Sequence, residues 1–288
     1  MIQTWEDITY QVNGVQLHTK QAGPQAGTVV LFLHGFPEFW YGWQKQLAYF
    51  ASHGYRAIAP DQRGYNQSSK PTQVHAYVLE ELVQDIRELI QHTPQQKVIL
   101  VGHDWGGAVA WALALWYPEL VHQLVILNMP YPGILSEQIK KHPQQLLRSW
   151  YAGFFQIPWA PEQVSQAFDF ALLEKSMQNT ARQGAFSPED FQHYKEAWKQ
   201  PHALTCMINW YRAFPHSKAV FSGSVTVPTL MLWGSKDTFL EKAFAQPSID
   251  HCKNGRLLYL EKATHWLHHE FPEEVNQQVH QFISEHEA

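Results

Sequence analysis

Six residues, Gly102-His103-Asp104-Trp105-Gly106-Gly107, join two apolar runs of opposite character. The run before them, Lys97–Val101 (KVILV), is short and β-branched, as a buried strand is. The run after them, Ala108–Trp116 (AVAWALALW), is apolar on every side and stops at Tyr117-Pro118, as a buried helix does. A strand that becomes a helix within so few residues needs a tight turn, and the flanking glycines permit one. Such a turn pushes its central side chain out over the end of the sheet, and the spacing G-x-Asp-x-G is that of a nucleophile elbow. Asp104 then sits at a helix N-terminus, which favours its anionic form. A carboxylate there can attack a saturated carbon and form an ester. The plain alternative is a glycine-rich turn whose Asp only caps the helix.

The rest of the chain fits this strand–turn–helix unit into a larger alternation. From Glu6 to Asn128, strand runs at Thr28–Leu33, Tyr55–Ala59, Lys97–Val101 and Leu124–Leu127 alternate with helical patterns such as Tyr77–Gln91. Nearly continuous apolar strands alternating with helices predict an α/β fold: a mostly parallel central sheet covered on both faces. From Met129 to about Gly223 strand signals vanish, and helical patterns fill Pro143–Phe155, Pro161–Gln178 and Ser187–Phe214. The alternation then resumes with Thr229–Trp233, Arg256–Leu260 and a last helix at Glu273–Ser284. The expected organisation is a core of residues 1–128 and 223–288 interrupted by a helical cap, 129–222.

Composition narrows the function classes. A chain of 288 residues with 45% hydrophobic and 16% charged residues is an ordinary folding chain. Its formal charge of −5 offers no bulk attraction to nucleic acid or to an anionic membrane. Two cysteines, Cys206 and Cys252, make neither a disulfide framework nor a Cys-rich zinc site. The N-terminal MIQTWEDITYQVNG does not read as a secretory signal, and no stretch reads as a membrane span, so a cytoplasmic protein is expected.

Two further residues join Asp104 at strand ends. Asp237 follows Thr229–Trp233, and His265 follows Arg256–Leu260. Ligands bind past the carboxyl ends of strands in such sheets. In that order the three residues read as nucleophile, acid and base: His265 activates water against an ester while Asp237 orients the imidazole. The segment His34-Gly35-Phe36-Pro37-Glu38 follows the first buried strand. Its Phe36 N–H, together with that of Trp105, is placed to bind an oxyanion. His268, His269 and Glu270 lie near His265, but their spacing fits no standard metal site, so no metal and no cofactor is expected.

The motifs HGFPE (His34–Glu38), DQRGYNQSSKP (Asp61–Pro71), GHDWGG (Gly102–Gly107), GSKD (Gly234–Asp237) and THW (Thr264–Trp266) resemble those of epoxide hydrolases in the α/β-hydrolase superfamily. The likeness runs from about Ile8 to the last helix. Asn66 stands where that family usually has Gly, and Asn tolerates positive φ. The resemblance implies an α/β-hydrolase fold and a small apolar epoxide and water as reactants, with the oligomeric state, monomer or homodimer, left open. These motifs are shared with haloalkane dehalogenases, so the leaving group must separate the two. A halide departs without a proton, whereas an epoxide oxygen departs as an alkoxide and needs one. The resemblance supplies two donors in the cap: Tyr151, in the pattern Tyr-x-x-x-Phe-Gln-x-Pro, and Tyr211, in Asn-Trp-Tyr-Arg. Fluoroacetate dehalogenases, which the sequence also resembles, typically carry Arg after the nucleophile to hold the substrate carboxylate, where this chain has Trp105, and a non-catalytic receptor on the fold usually keeps a Ser triad. The expected substrate pocket comprises His34, Pro37, Trp40, His103, Phe155 and Trp266, with Trp105 and Phe154 as further aromatic candidates.

Overall fold

The computed structural model describes residues 5–286. Eight strands form one sheet in the order β1-β2-β4-β3-β5-β6-β7-β8. They are β1 (Glu6–Val12), β2 (Val15–Ala22), β3 (Val29–Leu33), β4 (Arg56–Pro60), β5 (Val98–His103), β6 (Val121–Leu127), β7 (Thr229–Gly234) and β8 (Gly255–Leu260). The first two make an antiparallel hairpin that sequence periodicity did not isolate. β1 alternates exposed and half-buried positions and carries little apolar signal. Its turn is Asn13-Gly14, both at positive φ, the backbone that a two-residue hairpin demands. From β4 to β8 every pairing is parallel, as the apolar runs predict.

Helices cover both faces. α1 (Gln44–Ser52), α2 (Leu79–Gln91) and α3 (Trp105–Trp116) lie in the first half of the chain. Two apolar clusters result, one on each side of the sheet. α3 is buried along most of its length, which explains its lack of a polar face. Gly106, in its first turn, is required by close packing: a Cβ there would stand 2.2 Å from the Leu33 carbonyl oxygen.

Between β6 and β7 the described residues form helices and connecting loops, with no strand beyond a single bridge from Val225 to Cys252. The helices include α4 (Leu135–Lys141), α5 (Gln144–Arg148), α6 (Trp150–Phe154), α7 (Ala160–Thr180), α8 (Pro188–Trp198) and α9 (Ala203–Ala213). Three helical patterns in the sequence become broken helices, each for a local reason. Pro143–Phe155 divides at Ser149 into α5 and α6. Ser187–Phe214 divides at Pro201-His202, where proline cannot continue the first helix and His202 takes a left-handed backbone. α7 is kinked where Phe168, Asp169 and Phe170 adopt positive φ. The α8 start is secured by a capping box, Ser187 Oγ accepting from the Asp190 N–H at 3.1 Å while Asp190 accepts from the Ser187 N–H at 2.7 Å. α10 (Ala245–Ile249), α11 (Leu267–Glu270) and α12 (Pro272–Ser284) complete the fold. No helix of the described residues is long and apolar enough to cross a membrane.

Candidate active site

Sheet register brings the first two site segments together. β3 and β5 are parallel neighbours, with Leu33 opposite Gly102. The loop after β3 and the elbow after β5 therefore leave the sheet side by side. The Phe36 N–H donates to Asp104 Oδ1 at 2.9 Å. Asp104 itself holds φ 50° and ψ −125°, the strained backbone of a nucleophile elbow. Gly35 permits the close approach, since a Cβ there would lie 2.3 Å from Asp104 Oδ1. Trp105 begins α3, so its main chain belongs to the helix N-terminus beside the carboxylate.

β7 and β8 deliver the other two groups from adjacent strand ends. His265 Nδ1 donates to Asp237 Oδ2 at 2.8 Å, and its Nε2 faces Asp104 Oδ2 at 3.6 Å. Asp237 Oδ1 accepts from the backbone N–H groups of Phe239 and Leu240, at 2.7 and 3.0 Å. These donors turn the acid toward the imidazole. Burial opposes charge on Asp104 and on Asp237, but His265 and the N–H donors outweigh it and hold both carboxyls below the usual range. Burial also opposes charge on His265. The carboxylates of Asp237 and Asp104 outweigh it and raise the imidazole to about 10. The two carboxylates thus favour the protonated imidazole between them.

That arrangement has a stability consequence. A histidine bound more tightly to its proton in the folded state contributes fully below about pH 6.5, its ordinary value. The contribution is lost as pH climbs toward about 10. Thermal melts should therefore show stability declining from pH 7 to pH 10, with a smaller decline in His265→Gln. Equal slopes in the two proteins would contradict the raised imidazole.

A cavity of about 370 Å³ opens onto these groups, a size suited to one small organic molecule. Asp104, His265, Phe36, Pro37, Tyr151, Phe155, Tyr211 and Trp266 all line it. The Tyr151 and Tyr211 rings meet edge to face at 5.9 Å between centroids. Burial raises both phenols, and the Asp104 charge adds to the effect, so both keep their protons at neutral pH. Phe154 lines the cavity too, and Trp105 packs on the Tyr211 ring from 5.0 Å.

Three expected pocket residues lie elsewhere. His34 is fully buried, its Nε2 accepting from the Gln62 N–H at 3.0 Å and its ring lying edge-on to Tyr65. Trp40 packs against Phe39 and under the Lys20 ammonium, 5.0 Å from the ring centroid. His103 ends β5 and is fully buried. Its Nε2 donates to the His265 carbonyl at 2.9 Å. The lining also contains Leu147, Trp150, Leu172, Met177, Thr180 and Phe239, which no motif marked.

Next to the Asp104 elbow lies a polar cluster that sequence spacing did not assemble. Glu38 Oε1 accepts from Tyr194 and from His269 Nε2, each at 2.6 Å. Glu38 Oε2 lies 3.5 Å from His103 Nδ1 and 3.3 Å from His268 Nε2. Burial works against its charge, but His269, His268 and His103 hold the Glu38 carboxyl well below its ordinary range. Among the described residues, Glu38, His103 and His268 bring donor atoms near enough to one another to hold a metal ion. Glu270 is not in this set and instead accepts from the Thr264 N–H and hydroxyl. The cluster ties the loop after β3, the elbow and the His265 segment to one buried carboxylate.

A strand-end Asp beside an Asp–His pair, under a helical segment, is an arrangement suited to a hydrolase. A model of the alpha/beta hydrolase fold family matches residues 28–272, and the chain belongs to that family, within its epoxide hydrolase branch. It is 44% identical over 272 residues to AB hydrolase superfamily protein YfhM of Bacillus subtilis, covering 94% of this chain and 95% of that one. It is 39% identical over 279 residues to human epoxide hydrolase 4, covering 95% of this chain and 77% of the human one. A Bacillus megaterium epoxide hydrolase crystallised with an inhibitor superimposes with a TM-score of 0.89 at 30% identity, covering 96% of this chain and all of that one.

Proposed function

We propose that this protein converts an apolar epoxide to a vicinal diol through a covalent ester on Asp104. The observation that carries the reading is the meeting of Asp104, His265 and two protonated phenols in one apolar cavity. Trp105 rather than Arg follows Asp104 in the chain, and Arg148, which does line the cavity, is taken up by Glu241 at 2.8 Å and by the Asp237 main-chain carbonyl at 2.8 Å. An apolar neutral substrate suits this lining.

In the first step Asp104 attacks an epoxide carbon while Tyr151 and Tyr211 donate to the ring oxygen. The C–O ring bond breaks as the ester C–O bond forms, and a phenol proton ends on the leaving oxygen. That oxygen would otherwise leave as an alkoxide about as basic as hydroxide, whose parent water has a pKa of about 15.7. Ester formation also removes the Asp104 charge. One of the two carboxylates that raise His265 is then gone, so the imidazole gives up its proton more readily and restores the phenol. The neutral imidazole is the base that the second step needs.

In the second step His265 removes a proton from water, and the hydroxide attacks the ester carbonyl. Asp237 holds the resulting imidazolium, and the N–H groups of Phe36 and Trp105 bind the oxyanion. On collapse the acyl C–O bond to the substrate oxygen breaks, the proton of the newly added hydroxyl passes to the leaving alkoxide, and the diol departs from a restored Asp104 carboxylate. The helical segment over the sheet acts in this reading as a cap, since it supplies both phenols. Epoxide and water are the reactants, and no cofactor enters either step.

Losing one phenol should slow ring opening. Tyr151→Phe and Tyr211→Phe should each lower the rate of ester formation by about 100- to 1,000-fold, in the range of positioned acids and single electrostatic donors. Ester hydrolysis should change far less. Rapid mixing that separates the two phases checks this, and equal losses in both phases would refute the donor role. The function itself is tested with styrene oxide and, in parallel, a haloalkane. The reading predicts diol from the first. Halide release without diol formation would transfer the protein to the dehalogenases.

A further inference from the structure

Asn128 takes no part in the chemistry proposed above, yet it occupies the point where three site segments meet. It follows β6 directly, is fully buried, and has φ 43°. Its backbone N–H donates to the Leu232 carbonyl at 3.1 Å. Its side-chain Oδ1 accepts from the Gly234 N–H at 2.7 Å, where the Asp237 loop leaves β7. With Oδ1 so engaged, Nδ2 must point the other way. It donates to Asp237 Oδ2 at 2.5 Å and lies 3.5 Å from the Thr264 carbonyl, next to His265.

Asp237 Oδ2 is the same oxygen that receives His265 Nδ1. Two donors therefore converge on that oxygen, and two backbone N–H groups hold the other. The carboxylate has no freedom to rotate without breaking several charge-assisted bonds. Of these donors, Asn128 and His265 are the side chains, and Asn128 is the one that does not titrate. It fixes where the acid stands whatever the state of the imidazole.

We infer that Asn128 is a positioning residue for ester hydrolysis: it holds the Asp237 carboxylate ionised and aimed at His265 Nδ1. The inference rests on the Asp104-ester reading. It predicts a division between the two steps. Ester formation needs the Asp104 carboxylate and the phenols, none of which Asn128 touches. Hydrolysis needs an imidazolium held by Asp237.

The test is single-turnover kinetics with styrene oxide on the wild type, Asn128→Ala and Asn128→Asp, each across pH 5–9. Asn128→Ala removes a hydrogen bond to a charged group and is expected to slow ester hydrolysis by about 10- to 150-fold. Ester formation should stay within about threefold. Asn128→Asp keeps the size but faces Asp237 with a second carboxyl, so the two must share a proton. The groups around Asp237 are His265, the Tyr151 hydroxyl and Arg148, which donates to the Asp237 main-chain carbonyl at 2.8 Å and pairs with Glu241. None of them lies between Asn128 and Asp237 Oδ2 to separate the new pair. The shared proton weakens the hold on the imidazolium, and the acid limb of hydrolysis should move by at least about one pH unit.

A residue that served folding alone would lower melting temperature and both rates together, without moving that limb. Hydrolysis at the wild-type rate in Asn128→Ala, or an unmoved limb in a folded Asn128→Asp, overturns the inference. Absence of any ester on Asp104, seen by intact-protein mass in His265→Gln, would instead overturn the mechanism on which it rests.

Discussion

Asp104→Ala is expected to abolish diol formation, lowering kcat/KM by about 10⁴-fold or more, as removal of a covalent nucleophile does elsewhere. Among the described residues that line the cavity, Asp104 carries the one carboxylate. Asp237 is turned away by two backbone N–H groups and held by His265. Glu38 lies next to the elbow, committed to Tyr194 and His269. Water cannot take over, because His265 would be left as a base with no ester to act on. The variant should remain folded: α3 packs through its own apolar side chains, and alanine removes no buried apolar contact from them. Substantial turnover in a folded Asp104→Ala protein would end the covalent reading. Steady-state assay with circular dichroism on the same sample decides it.

His265→Gln should separate the two steps. Glutamine has no basic nitrogen, so ring opening proceeds once per molecule and the ester stays. The expected result is a burst of epoxide loss equal to the enzyme present, followed by hydrolysis slowed about 10²- to 10⁴-fold. Intact mass should rise by one epoxide, and the added mass should map to the peptide containing Asp104. The burst depends on the two carboxylates surviving without their shared imidazolium. Asp104 keeps the Phe36 N–H, and Asp237 keeps Asn128 and its backbone donors. Steady turnover without accumulation would remove His265 from the mechanism.

Asp104, Asp237 and His265 were legible in the sequence because each follows a short apolar strand, where topology rather than side-chain packing sets position. Phe36 was legible for the same reason, since β3 and β5 are neighbours with Leu33 opposite Gly102. Adjacency along the chain misled where side-chain direction mattered. His103 precedes Asp104, but its ring is taken up between Glu38 and the His265 carbonyl. His34 and Trp40 flank the loop after β3, yet their rings turn into the packing of Tyr65 and Phe39. The two phenols were found by resemblance to a pattern. Leu147, Leu172 and Met177 carry no such pattern, because they reach the cavity only through the way the broken helices α5 to α7 settle over the sheet. Asn128 is illegible in the sequence for a related reason. A single Asn after a strand has no spacing signature, and its role depends on the crossing of three loops.

The central claim, an ester on Asp104 resolved by water at its carbonyl, is tested most directly by one turnover in ¹⁸O water with enzyme in excess over epoxide. The account predicts that the first diol carries no label, because its new oxygen comes from the Asp104 carboxylate, and that the label appears in the Asp104 peptide. Labelled diol from the first turnover, with an unlabelled Asp104 peptide, would mean that water attacks the epoxide directly and would contradict the account.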